Sequence, residues 1–89
     1  MKITKRIQVG SLESSDCMVT IEPSKTLSLT IKSSVSKQFY KNIEKTAYSL
    51  LKQYDVENCS LLIEDRGALP FALKARIEAA ILKSGEKNE

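Results

Sequence analysis

The residues best suited to chemistry lie together in one short segment, Gly10–Asp16. Its sequence, GSLESSD, combines three serine hydroxyls with two carboxylates after a glycine. A serine attacks a substrate when a base such as histidine removes its proton, and the chain has no histidine. The segment therefore favours a serine, Ser14 in particular, that another enzyme modifies. Taken alone, serine and aspartate are more typical of an ordinary turn, where their side chains satisfy backbone donors.

The rest of the sequence offers no catalytic or metal-binding set. Cys17 and Cys59 lie far apart in apolar runs, and no histidine completes a zinc site, so we expect reduced, buried thiols. The adjacent Glu64 and Asp65 point to opposite faces of a strand and cannot share a proton as an acid/base pair. Three glycines are too few for a phosphate-binding loop. We therefore expect a protein that is not an enzyme and holds no metal.

Composition limits the classes of protein that remain. With 42% hydrophobic and 28% charged residues, the 89-residue chain should fold as one small domain, residues 1–84, followed by a polar tail, residues 85–89. A net charge of +3, with its only close basic group at Lys2, Lys5 and Arg6, is weak for a nucleic-acid interface. The absence of a long apolar run or signal-peptide core predicts a cytoplasmic protein without a membrane segment.

Apolar spacing predicts the elements that must position Ser14. Imperfect alternation over residues 3–9 indicates a first strand, which ends at the serine segment. An apolar run at 17–21 and clean alternation over 27–32 indicate two more strands, which we expect to form a hairpin through the break at 23–26. Apolar steps of three and four then predict an amphipathic helix with Val35, Phe39, Ile43, Ala47, Leu50, Leu51 and Tyr54 on its buried stripe, capped by Ser33, Ser34 or Ser36.

The remaining sequence predicts one more strand and one more helix. The run Cys59–Asp65 is typical of a buried strand, and the order strand, helix, strand implies a right-handed crossover. Pro70 suits the first turn of a final helix that ends near Lys83. The order β-β-β-α-β-α predicts an α+β fold, a two-layer sandwich with a small mixed sheet of about four strands and two helices on one face.

Three blocks of the sequence together resemble the acyl carrier protein, or gamma subunit, of the citrate lyase complex. They occur in the order and spacing of that family and span most of the chain. The blocks are Gly10–Asp16 with Met18–Val19, then Ser34–Val35 with Lys37–Phe39, and finally Gly67–Leu69 with Ala75–Ala80.

The resemblance implies a carrier function centred on Ser14. That serine would bear a phosphoribosyl dephospho-coenzyme A group through a phosphodiester, and the terminal thiol of the group would hold an acyl unit. In the family, the alpha subunit exchanges acetyl for citryl, and the beta subunit cleaves the citryl thioester to oxaloacetate. The implied partners are these two subunits, a prosthetic-group transferase and an acetate-activating ligase.

Residues around the serine are expected to support the attachment. Gly10 should supply a backbone shape that a side chain would hinder, and the two carboxylates of the segment should orient the loop through backbone hydrogen bonds. Leu12 should dock the loop to the core. A phosphodiester is anionic, so basic side chains should offset its charge, and Lys5 and Arg6 are the candidates.

One alternative remains open, a noncatalytic RNA-binding or protein-interaction module that uses the sheet face and the basic N-terminus. RNA recognition on a sheet relies on exposed strand aromatics that stack on bases. Here the aromatics are predicted in helices: Phe39, Tyr40, Tyr48 and Tyr54 in the first and Phe71 in the second. The carrier interpretation is therefore preferred.

Overall fold

The described part of the chain contains six short strands and two long helices. The computed structural model describes residues 1–33 and 36–86. In this part the elements are β1 Lys2–Ile3, β2 Ile7–Gly10, β3 Cys17–Glu22, β4 Leu27–Ser33, α1 Lys37–Gln53, β5 Cys59–Asp65, α2 Pro70–Ser84 and β6 Gly85–Glu86. Neither described helix has the length and apolarity needed to cross a bilayer.

The main sheet has four strands in the order β2-β3-β5-β4. β3 pairs antiparallel with both β2 and β5, whereas β4 and β5 run parallel. The predicted mixed sheet with two helices, an α+β sandwich, is therefore confirmed. β1 and β6 add a separate two-stranded pair.

The predicted hairpin between the second and third strands is wrong. β5 lies between them, so that Leu62 faces Thr20 of β3 on one side and Thr30 of β4 on the other. A strand with a continuous apolar run suits a central position, whereas β4, with its polar Ser28 and Lys32, suits an edge. The four residues 23–26 therefore connect two strands that are not neighbours.

Both helices cover one face of this sheet. β5 alternates strictly and directs Cys59, Leu61 and Ile63 into the core. Buried aliphatic and small side chains of the helices close over them: Ile43, Ala47, Leu50 and Leu51 from α1, and Leu73, Ile77, Ala80 and Ile81 from α2. The tip of Tyr54, just after α1, donates a hydrogen bond to Glu78 Oε2 of α2 at 2.7 Å.

The start of α1 differs from its prediction in two respects. Phe39 was expected in the core, but 56% of its surface is exposed. Of the predicted caps, Ser36 precedes the helix but its side chain makes no capping hydrogen bond, and Ser33 ends β4, where its hydroxyl donates to Asp65 Oδ2 at 3.1 Å. Ser34 and Val35 lie outside the described residues.

The C-terminal boundary also differs from its prediction. Ser84 is the last residue of α2 and is fully buried. Gly85 and Glu86, predicted to begin a polar tail, instead form β6, whose backbone pairs with Lys2 and Ile3. The other predicted tail residues, 87–89, lie outside the described part of the chain.

Candidate functional site

Ser14 lies at the exposed tip of the loop that joins β2 to β3. Residues 11–16 form this loop, hereafter the serine loop, between two antiparallel strands. The Ser14 side chain is exposed, and no group in residues 1–33 or 36–86 forms a hydrogen bond with its hydroxyl. The hydroxyl is therefore accessible to a modifying enzyme without the loss of any internal contact.

Asp16 holds the serine loop in shape. Its Oδ2 accepts from Ser11 Oγ at 2.6 Å and from Arg76 Nη2 at 3.0 Å, and its Oδ1 accepts from Cys17 N at 2.7 Å and from Arg76 Nε at 3.2 Å. Ser11 Oγ in turn accepts from Glu13 N at 3.3 Å. The bonds from Ser11, Cys17 and Arg76 together lower the pKa of Asp16 from 3.8 to about 2. Asp16 is therefore ionised at neutral pH.

The serine loop is also fixed to the segment that links β5 to α2. Ser15 N donates to Arg66 O at 2.8 Å, and Arg66 N donates to Asp16 O at 2.9 Å. These two bonds continue the pairing of β3 with β5 beyond Cys17 and Asp65, where the ladder ends. The backbone of Arg66 consequently lies against the residue that follows Ser14.

Gly10 has the special backbone shape predicted for it. Its φ is +104°, and a Cβ at this position would overlap the carbonyl oxygen of Cys17. That oxygen accepts a hydrogen bond from Ser11 N at 3.1 Å and so belongs to the turn itself. A side chain at Gly10 would therefore push apart the two strands that carry the loop.

The cation that contacts the loop is not one of those predicted. Arg6 forms an ion pair with Glu22, 2.7 Å between Nε and Oε1, at the end of β3 remote from Ser14. The backbone of Lys5 is bonded to Ser84 O. Arg76 of α2 contacts the loop instead, and its guanidinium bonds to both oxygens of Asp16, the two-point geometry that arginine provides.

The sequence contained a signal for Arg76. It lies three residues after Leu73 and one before Ile77, so it interrupts the apolar stripe that α2 turns toward the sheet. A charged residue on such a stripe indicates a partner on the neighbouring element. Leu12, by contrast, was expected to dock to the core, but 47% of its surface is exposed and the loop is held by polar contacts.

The two thiols are buried and reduced, as predicted. Cys17 and Cys59 are fully buried and form no disulfide. Burial raises the pKa of each from 9.0 to about 11, so both are protonated at neutral pH. Across the described residues, no three His, Cys, Asp or Glu side chains gather as a metal site would require.

The open face of the sheet has no aromatic platform. Phe39, Tyr40 and Tyr48 lie in α1, Tyr54 directly follows it, and Phe71 lies in the first turn of α2. These are all the aromatic residues of the chain, and none belongs to the four-stranded sheet. Base stacking of the kind that sheet-based RNA modules use is thus not available on this surface.

Comparison with known proteins supports the resemblance seen in the sequence. Residues 4–84 match the acyl carrier protein (ACP) family described as malonate decarboxylase delta subunit (MdcD). Proteins named citrate lyase acyl carrier protein are 44% identical in Treponema denticola, over 98% of this chain and 100% of the relative, and 42% identical in Haemophilus ducreyi, over 98% and 92%. The namesake from Clostridium perfringens is 44% identical over 100% of this chain and 90% of its own.

A solved structure shares the fold. The crystal structure of a Pseudomonas malonate decarboxylase hetero-tetramer in complex with malonate contains a similar chain, with a TM-score of 0.72 and 22% identity. The similarity covers 96% of this chain and 93% of that one. The sandwich of four strands and two helices is therefore an established architecture.

Proposed function

This chain belongs to the family of citrate lyase acyl carrier proteins, and we propose that Ser14 is the residue that bears its prosthetic group. An acyl carrier is a noncatalytic subunit, which acts through a covalently attached group and not through its own acids and bases. The family assignment explains why a protein without histidine can take part in citrate cleavage. It does not by itself select one of the three serines in the loop.

The observation that carries the proposal is the exposed, unbonded hydroxyl of Ser14 at the tip of a braced loop, which distinguishes it from Ser11. Ser11 Oγ is engaged by Asp16 at 2.6 Å and by Glu13 N at 3.3 Å, so its modification would dismantle the loop. The backbone of Ser15 is tied to Arg66 and has a φ of +67°. The hydroxyls of Ser14 and Ser15 are both exposed and unbonded, so modification of either leaves these contacts in place. Ser14 is proposed over Ser15 because of the match of the segment Gly10–Asp16 to the carrier family.

The proposed group is phosphoribosyl dephospho-coenzyme A, joined to Ser14 by a phosphodiester. Ser14 Oγ forms the new bond to phosphorus, its proton passes to a base of the transferase, and the leaving group of an activated donor departs. No side chain of the described residues bonds to Ser14 Oγ, so we assign the base to the transferase. Arg66 belongs to a segment that contacts the loop, and its exposed cation would offset part of the charge of the anionic group.

The proposed partners follow from the same role. When bound, the group would supply a terminal thiol that holds the acyl unit as a thioester. The alpha subunit would exchange acetyl for citryl with release of acetate, and the beta subunit would cleave the citryl thioester to oxaloacetate and leave the acetyl thioester on the thiol. An acetate-activating ligase would acetylate the thiol before the first turnover. We propose that this cycle takes place in the cytoplasm.

Exchange of single serines tests the attachment residue. Wild type, Ser14→Ala and Ser15→Ala are each produced with the prosthetic-group transferase and its donor, and intact mass and peptide mapping are recorded. Wild type and Ser15→Ala should gain the mass of one group on the peptide that contains Ser14, and Ser14→Ala should gain none. Before loading, all three should have the same unfolding midpoint, since neither hydroxyl bonds within the described residues.

Two outcomes would contradict the assignment. Full loading of Ser14→Ala together with failure of Ser15→Ala would move the attachment site by one residue. Failure of wild type to load, with a transferase that loads another member of the family, would remove the carrier function from this chain.

A further inference from the structure

An apolar cleft lies at the same end of the molecule as Ser14. The attachment of a group to Ser14 does not by itself give this cleft a role. Its volume is about 240 Å³. It lies between the N-terminal half of α1 and the segment that links β5 to α2, and its walls include Phe39, Ile43, Thr46, Ala68, Leu69 and Leu73. Most of this lining is aliphatic or aromatic.

The serine loop is the neighbour of this cleft. Ser15 is bonded to Arg66 O at 2.8 Å, and the next residue, Gly67, lines the cleft. Since consecutive Cα atoms are about 3.8 Å apart and a backbone hydrogen bond joins residues within about 6 Å, Ser14 lies at most roughly 14 Å from Gly67. A nucleotide, a diphosphate and a pantetheine joined in series are longer than this, so a group on Ser14 can fold back into the cleft.

A larger cleft lies at the far end of the described part of the chain. It has a volume of about 630 Å³ and is lined by Met1, Pro23 and Asp55, among others. Pro23 follows the end of β3, whereas the serine loop precedes its start. Six residues of strand at about 3.3 Å each separate the two ends by about 20 Å, which makes the smaller cleft the better placed of the two.

The near end of the molecule carries charges of both signs. The Arg66 side chain is exposed, and within the described chain it forms no hydrogen bond or ion pair. α1 and α2 both begin at this end, and neither has an acidic residue in its first turn. Helix N-termini carry partial positive charge. Arg66 and the helix N-termini offset the negative charges of Glu13 and Asp16 in the serine loop and of Asp65 in the cleft wall. The phosphates therefore suit the surface near Arg66, and the apolar part of the cleft suits the uncharged end of the arm.

The apolar rim of the cleft has no cover within the described residues. Phe39 is 56% exposed and Leu69 is 58% exposed. Covering apolar surface gains about 25 cal/mol per Å², which for a small fragment gives only weak affinity. A flexible tether supplies an effective concentration in the millimolar range, however, so even a weak site becomes occupied.

We propose that this cleft receives the thiol end of the arm carried by Ser14, with its acyl unit, and shields the thioester between catalytic steps. The inference rests on the proposed function, since it requires a loaded Ser14. Clefts for whole drug-sized ligands measure about 300–1,000 Å³, so a cleft of about 240 Å³ matches the acetylated cysteamine end and not the entire arm.

Thiol reactivity of the loaded protein tests this proposal. Intact mass first establishes one group on Ser14, and the arm thiol is then alkylated with iodoacetamide in parallel with free pantetheine. Cys17 and Cys59 are buried and protonated, so the arm provides the reactive thiol. We expect the arm to react on the order of two- to tenfold more slowly than free pantetheine, because protection depends on the ratio of effective concentration to Kd.

Matched variants on α1 identify the cleft as the cause. Thr46→Phe fills the cleft, whereas Ser49→Phe adds the same side chain at an exposed position of the same helix that does not line it. Thr46→Phe should raise the alkylation rate to that of free pantetheine, and Ser49→Phe should leave it slow. Leu69→Asn, at an exposed wall position with little expected cost in stability, repeats the test if Thr46→Phe fails to fold.

The possible failures are distinguishable. If no group is found on Ser14, the proposed function fails and this inference fails with it. If Ser14 is loaded but its thiol reacts as fast as free pantetheine, or if Thr46→Phe remains as protected as wild type, only the cleft proposal is overturned. A protected Thr46→Phe protein that no longer joins the catalytic subunits would identify the cleft as a subunit contact.

Discussion

At the scale of single residues, the side chain that fixes the shape of the serine loop differs from the one that we propose for modification. Asp16 accepts four hydrogen bonds and is held by α2 through Arg76, whereas Ser14 makes none within the described residues. This absence of internal partners leaves the Ser14 hydroxyl accessible, as our proposal of an attachment site requires. The neighbouring carboxylate can then be fully bonded without restricting it.

The pH dependence of stability should reveal the contribution of Asp16. Its pKa is about 2 in the folded state and near 3.8 when unfolded, so the stability it provides is complete above about pH 4 and is lost as the pH falls toward 2. Wild type should therefore be more stable than Asp16→Asn at pH 7, and the difference should shrink between about pH 4 and pH 2. Urea unfolding across this range measures the difference.

Glu13→Gln provides the control for this titration. The Glu13 carboxylate makes no hydrogen bond in the described part of the chain, although it belongs to the same loop. Its replacement should change the free energy of unfolding little at any pH. A wild-type advantage over Asp16→Asn that grows on acidification would contradict the role of Asp16.

Single residues also mark the limit of what the sequence predicted. The backbone shape of Gly10 was predicted from one local segment, because turn chemistry depends on neighbours in the chain, whereas Ser14 remains a prediction that rests on the family resemblance. Arg76 is sixty positions from Asp16, so no local pattern pairs them. Only the interruption of the apolar stripe of α2 pointed to it, and that observation does not name the partner.

At the scale of elements, the hairpin that carries Ser14 depends on the backbone of Gly10. Gly10 and Gly67 both have positive φ, +104° and +92°, and both lie next to the loop or its neighbour. A Cβ at Gly67 would meet nothing within 4 Å, whereas one at Gly10 would overlap Cys17 O. A substitution at Gly67 therefore introduces conformational strain alone, whereas one at Gly10 introduces strain together with steric overlap.

Alanine at each glycine tests this difference. Gly67→Ala should lower the free energy of unfolding by about 1–3 kcal/mol, the usual strain of a side chain at positive φ. Gly10→Ala should cost more, because the strands must also move apart, and it should slow loading of Ser14. Chemical unfolding and the rate of mass gain measure the two effects. Equal losses in stability would show that the overlap at Gly10 is relieved without moving the hairpin.

The order of the strands was the main error of the sequence-based fold. Alternation in Leu27–Ser33 correctly indicates a strand with one buried face, and the apolar run in Cys59–Asp65 correctly indicates a buried one. Neither pattern indicates which strand lies beside it in the sheet. Strand pairing is decided by contacts between residues far apart in the sequence, here Leu29 with Leu61 and Val19 with Ile63. Two strands that are consecutive in the sequence need not pair, because a later strand, here β5, can lie between them in the sheet.

At the scale of the whole molecule, the two ends of the sheet have different tasks. The serine loop, the end of β5 and the starts of both helices lie at one end. The pair of β1 and β6 lies at the other, where the Met1 amino group donates to Asp55 O at 2.8 Å and Thr4 N donates to Ser84 O at 2.8 Å. The far end closes the core, while the near end carries the exposed Ser14 hydroxyl that we propose as the attachment site.

This separation predicts that stability can be lowered without loss of loading. Ile3 is 4% exposed and belongs to the core cluster, so Ile3→Ala should lower the free energy of unfolding by about 2–5 kcal/mol. Lys2 is the exposed neighbour of Ile3, and Lys2→Ala should change the free energy of unfolding by about 0.5 kcal/mol or less. At a temperature where both variants are folded, Ser14 should load at the wild-type rate.

The double variant Ile3→Ala/Asp16→Asn extends the same argument. Ile3 lines the far cleft, and Asp16 lies in the serine loop beyond the other end of β3. Substitutions at distant sites without shared partners have additive effects to within about 0.3–0.5 kcal/mol. The losses in the free energy of unfolding of the two single variants, measured by urea unfolding, should therefore add up to the loss of the double variant. A clear departure from additivity, or slowed loading of folded Ile3→Ala, would show that the two ends are coupled through the sheet.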